Sequence, residues 1–146
     1  HLEILSTEFL LEQINKCEDK IRNEDYDGAI TNSRSLVEEV LLALEEEITG
    51  NRGQNTGDMD RLYKRVKQHT GLDPSQPGLN TQLLQILTGL NSIVIGVSSL
   101  RTKVGDAHAR EYKPERHHAE LAVNTAKTFT AFVISSHNYR KTKGIV

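Results

Sequence analysis

Apolar residues recur along this chain at spacings of three and four, the period of an α-helix, in five separate stretches. The first starts at Leu5 and runs through Phe9, Leu10, Ile14, Cys17 and Ile21, with Ser6 or Thr7 placed to cap it. The turn-forming NEDYDG follows. A second helix begins near Ala29 and carries Ile30, Val37, Val40, Leu41, Leu44 and Ile48 on one side. Gly50 and the polar tract GNRGQNTGD end it and read as a flexible connection. Asp58 caps a short third helix whose apolar side is Leu62, Tyr63 and Val66, and Gly71, Pro74 and Pro77 prevent its continuation. A fourth helix spans Leu79 to Leu100 with apolar residues on most sides, which predicts the central, most buried element. Its SIVIGV segment has the composition of a strand, but the helical pattern on both sides decides for helix. Pro114 suits the first turn of a fifth helix carrying Ala119, Leu121, Ala122, Thr125, Ala126, Phe129, Phe132 and Val133. Helix-length segments with short joins and no alternating strands predict an all-α bundle of about five helices.

With 146 residues, the chain reads as one domain, 1–146, and its start at His1 suggests a piece of a longer protein. No apolar run approaches the roughly 18 residues of a membrane span. The beginning of the chain lacks the basic-then-apolar pattern of a signal peptide. The single cysteine, Cys17, cannot form an internal disulfide, so the expected setting is the reducing cytoplasm, away from membranes.

Charge divides unevenly along the chain. Residues 1–100 hold nine Lys and Arg against sixteen Asp and Glu, a net of −7, whereas residues 101–146 hold nine against four, a net of +5. The last third also holds four of the six histidines. A basic segment in an otherwise acidic protein points to an anionic partner, although a solvated basic face gives the same composition.

Most individual motifs have ordinary explanations. The glycine tract lacks the Lys-Ser/Thr ending of a phosphate loop and follows a helix instead of a strand. His117 and His118 point about 100° apart on a helix and cannot readily chelate one ion, so no metal and no cofactor is expected. Glu45, Glu46 and Glu47 read as a solvated face. Arg34 and Glu38, four residues apart, read by themselves as an i,i+4 ion pair of small energetic value, the alternative being a pair that positions a loop.

The stretch LRTKVGDAHARE, 100–111, is different: it leaves the most apolar segment and at once collects cations, a carboxylate and an imidazole around Gly105. On an unbroken helix Arg101 and His108 would lie on one side, about 10.5 Å apart along the axis, and Gly105 offers a bend that closes the gap. A permanent cation beside an imidazole titrating near neutrality suits phosphoryl chemistry. Arg stabilises the extra negative charge of the pentavalent state, and His moves a proton. Asp106 is placed to orient the imidazole or to lower the density of positive charge.

Three segments carry a family likeness: SRSLVEEVL at 33–41, LTGLNSIVIGVSSLRTKVGDAHA at 87–109 and RHHAELAVNTAKTF at 116–129. Together they resemble the abortive-infection C-terminal domain of the HEPN superfamily, whose signature is Arg, four to six residues, then His; here six residues separate Arg101 from His108. Thr102 stands where members of this family often carry Asn, Asp or another polar residue, and Ala109 where they often carry Gly. The resemblance implies a metal-independent endoribonuclease in bacterial antiphage defence, a toxin-like effector that dimerises so that two Arg/His loops face one interface. An antitoxin or sensor domain is the implied further partner. It assigns catalysis to Arg101 and His108, with Thr102, Lys103, Asp106, Arg34 and Glu38 in support. The neighbouring Arg110, Lys113, Arg116 and His118 are the candidates for RNA contacts. The rival reading is a non-catalytic helical module that binds RNA or protein, or only dimerises.

Overall fold

The structure is a computed structural model that describes residues 3–54, 57–70, 72–104 and 113–144, with the backbone alone at 98 and 101–104. The described residues form five helices and no strand: α1 (Thr7–Arg22), α2 (Tyr26–Thr49), α3 (Met59–Lys67), α4 (Thr81–Val104) and α5 (Arg116–Thr142). The all-α bundle read from the periodicity is the observed architecture.

Local chemistry sets the helix ends. Ser6 caps α1 by accepting the Phe9 N–H. Asp25 caps α2 by accepting the Gly28 N–H, which starts that helix three residues before the expected Ala29. The same hydrogen bond holds the Asp25 carboxyl below its ordinary pKa. Gly50, at φ +81°, supplies the left-handed residue that closes α2, a conformation costly to any side chain with a Cβ. Asp58 caps α3 as expected. Pro114 is buried just ahead of the capping residue Glu115, so it precedes α5 instead of occupying its first turn.

The long helices α2 and α5 run parallel as the spine of the molecule. At one end the Arg116 guanidinium lies 5.7 Å from the Tyr26 ring centroid; at the other, Lys141 Nζ is 3.1 Å from Glu47 Oε1. Helix α1 runs antiparallel to both: Leu5 lies near Ala43 and Lys141, and Ile21 lies near Val123. Ile30, Val40, Leu41, Phe129 and Val133 fill the interior, with Phe129 stacked at a tilt on Tyr63 of α3, ring centroids 5.8 Å apart.

Helix α4 corrects an expectation. It is an outer helix, applied to α2, α3 and α5 by the row Leu87, Leu90, Val94 and Val97, and the spine helices hold the centre instead. Ile86 is 62% exposed and Ile93 49%, and Leu83 and Leu84 are exposed as well. Its high apolar content therefore serves two faces, one turned inward and one to the outside. It also runs four residues beyond the expected Leu100, to Val104.

Leu72 lodges beside Leu44, Ile48 and His137, at the end of the spine where α2 and α5 finish. Only residues 73–80 separate it from α4, so α4 starts at that end. A helix of 24 residues is about 36 Å long and spans the bundle. The last turn of α4 thus arrives at the end where α2 and α5 begin.

Candidate active site

The predicted catalytic segment straddles the end of α4. Arg101, Thr102 and Lys103 belong to its last turn, Arg101–Val104, where the backbone alone is described. Asp106, His108 and Arg110 lie outside the described residues. Helical spacing nonetheless fixes the register of position 101. It follows Val97 by four and so continues the inward row Leu90, Val94 and Val97. The row that packs α4 on the spine thus reaches position 101 in the last turn of the helix.

The start of α5 stands at the same end. Lys113 is exposed beside the buried Pro114. Arg116 is exposed with its guanidinium over Tyr26. His118 accepts the Glu115 N–H at Nδ1, 3.0 Å away, and stacks on His117 at a centroid distance of 4.1 Å. An imidazole accepting at Nδ1 carries its proton on Nε2. His118 therefore organises the first turn of α5, a role its candidacy as an RNA contact did not anticipate.

Arg34 and Glu38 form a buried pair, contrary to the reading of a weak surface pair. Their side chains are 6% and 12% exposed, with Nη1 and Oε1 2.7 Å apart. Arg34 Nη2 also donates to the Gly57 carbonyl at 2.6 Å. The pair thus ties the middle of α2 to the connection that leads into α3, which is the loop-positioning alternative. Burial decides its energetics: two charges removed from water hold each other strongly, and loss of either strands the other.

Two further clusters went unread in the sequence. Glu45 is not part of a solvated acidic face. It is buried and takes two hydrogen bonds from Arg65, Nε at 2.6 Å and Nη2 at 3.1 Å, and a third from the Gly53 N–H at 2.9 Å. Arg65 first and the Gly53 amide second hold its carboxyl below the ordinary range, against the opposing effect of burial. The glycine tract is therefore pinned at Gly53, and at Arg52 through Glu39, instead of flexible there. No local spacing signals a partner 20 residues away. The second cluster lies at the far end of the spine. His137 is 4% exposed; among the described residues neither ring nitrogen makes a hydrogen bond of ordinary length, and the nearest acid, Glu47 Oε1, is 3.9 Å from Nε2. Burial lowers its pKa more than Glu47 raises it.

Among the described residues no three His, Cys, Asp or Glu side chains gather as a metal site, and no helix is long and apolar enough to cross a membrane.

The five-helix bundle is the architecture that the sequence resemblance to a HEPN-like domain implied. The family described as a HEPN-like domain, Abi_C, matches residues 8–137, and the chain belongs to it. That membership is consistent with a role related to abortive infection. No curated protein and no solved structure matches the chain.

Proposed function

We propose that this domain is a metal-independent endoribonuclease that acts as an abortive-infection effector in bacterial antiphage defence. The observation that carries the reading is the place of position 101: in a chain of this family, it falls in the last turn of α4, in register with the inward row, with six residues between Arg101 and His108. The RNA's own 2′-hydroxyl attacks the adjacent phosphate, the 5′ oxygen departs, and a cyclic phosphate end remains. His108 takes the proton of the attacking hydroxyl and serves as proton donor to the leaving oxygen. Arg101 holds the phosphate and offsets the charge that builds on its oxygens.

The working unit in this reading is a homodimer. Ile86 and Ile93 stand exposed on α4 and Leu121 and Phe132 on α5, while no charged residue occurs from Thr81 to Leu100. The outer side of α4, with large apolar side chains and no charge, is suited to another protein surface. Pairing through α4 brings two copies of Arg101 and His108 towards one interface, so that groups from both serve one phosphate. An antitoxin or sensor domain is the further partner, and the cytoplasm the setting.

Different failures of the two side chains test the assignment. His108→Ala lowers the single-turnover rate by roughly 10²- to 10⁴-fold and leaves RNA affinity nearly intact. Arg101→Ala lowers both, and Arg101→Lys recovers affinity better than rate because an ammonium lacks the planar fork. Thr102→Asn keeps or raises activity. If both alanine variants cleave like the parent, the pair is structural, and the non-catalytic module becomes the better account.

A further inference from the structure

Between α3 and α4 runs an open groove of about 800 Å³ that the catalytic reading does not use. Asp60, Tyr63, Lys64 and Lys67 line it from α3, and Asn91, Ser92, Ile95 and Gly96 from α4. We propose that this groove is a second RNA-binding track, which holds phosphates of the strand beyond the nucleotide being cleaved. The inference rests on the RNA reading above and adds to it a surface outside the basic last third.

Three features fit phosphate. The α3 wall brings Lys64 and the half-buried Lys67; the carboxylate in its lining, Asp60, lies 3.0 Å from Lys64 in an exposed pair, and Asp73, outside the lining, is the acid that faces Lys67, so both lysines are available to a phosphate only in exchange for water-screened partners. The α4 wall carries no charge along its whole length from Thr81 to Leu100, so no acid there repels a polyanion. It offers instead a hydroxyl at Ser92 and an amide at Asn91. The Tyr63 hydroxyl donates to Asn91 Oδ1, which leaves the amide nitrogen as the donating end. Gly96 presents bare backbone: a Cβ built there meets nothing within 4 Å.

Register connects the groove to the site. Positions 92, 96, 99 and 103 recur at the four- and three-residue spacing of one helix face, so the α4 side of the groove leads to the position of Lys103. Arg101 stands five residues beyond Gly96, about 7.5 Å along the axis. A strand lying in the groove reaches the end of α4 without crossing the exposed apolar residues Ile86 and Ile93.

The test is a binding titration of labelled single-stranded RNA against the full chain carrying His108→Ala, which separates affinity from cleavage. Lys64→Gln with Lys67→Gln weakens affinity several-fold and lowers the slope of log affinity against log salt by about 0.7 for each phosphate no longer neutralised. The charge-matched Lys16→Gln with Lys127→Gln, on exposed faces of α1 and α5, leaves both nearly unchanged. Gly96→Glu weakens binding while Gly96→Gln does not, and the open space around Gly96 lets both fold. Equal losses in the groove and control pairs, or equal binding by Gly96→Glu and Gly96→Gln, would overturn the track. Absence of RNA binding overturns the track and the nuclease reading together. Groove-dependent binding by a parent that cleaves nothing supports the track and removes the nuclease reading alone.

Discussion

Arg34 and Glu38 illustrate how strongly burial changes the worth of one pair of charges. On a helix surface an i,i+4 pair contributes a few tenths of a kcal/mol, and substitution goes almost unnoticed. At 6% and 12% exposure the same spacing becomes a commitment, because either charge alone is stranded away from water. Arg34→Ala should therefore cost about 3–5 kcal/mol in urea unfolding, while the apolar pair Arg34→Met with Glu38→Leu recovers most of the loss. His137 responds in the opposite sense to a paired charge. Its pKa is lowered in the fold by burial, so the native state disfavours its proton. Stability is fully present above the ordinary value of 6.5 and falls as pH drops from there towards the lowered folded value. A second decline follows below the ordinary carboxylate value of 4.5, as Glu45, held low by Arg65, and Glu47, held low by Lys141, take up protons. Denaturant midpoints across this range should show both stages, and His137→Gln should abolish only the first.

Helix α4 is the element where composition and position part company. The periodicity of α2 and α3 was legible because each has one apolar stripe and one polar face, so pattern and burial coincide, whereas α5 leaves Leu121 and Phe132 of its expected apolar set exposed. In α4 the apolar residues Ile86 and Ile93 add a second, outward stripe to the inward row of Leu87, Val94 and Val97. Mean apolarity cannot tell a helix buried all round from one that meets its own core on one side and leaves apolar residues exposed on the other. The candidate site was legible only in part for a related reason. Short-range spacing reveals Arg34–Glu38 as a pair but not its depth, and Glu45–Arg65 spans two helices, beyond any local pattern. Two outcomes follow at this scale. Ile86→Lys with Ile93→Lys should leave helix content and unfolding midpoint nearly unchanged, yet shift light-scattering mass at micromolar concentration from dimer to monomer. An unchanged dimer would place the interface elsewhere. Gly50→Ala, forced to hold φ near +81°, should lower stability by about 1 kcal/mol.

For the molecule as a whole, the parallel spine of α2 and α5 gathers the start of both helices and the last turn of α4 at one end, and the far end holds Leu72 and His137. The proposed chemistry belongs to the first end alone, and the far end supplies stability. That chemistry requires cleavage to occur without metal. The most direct measurement is single-turnover cleavage of labelled RNA in EDTA by the parent chain and by His108→Ala. The account predicts cleavage that survives chelation, leaves a cyclic phosphate end, and falls by roughly 10²- to 10⁴-fold in the variant. Cleavage restored only by added Mg²⁺ or Mn²⁺, or equal rates for parent and variant, would contradict it.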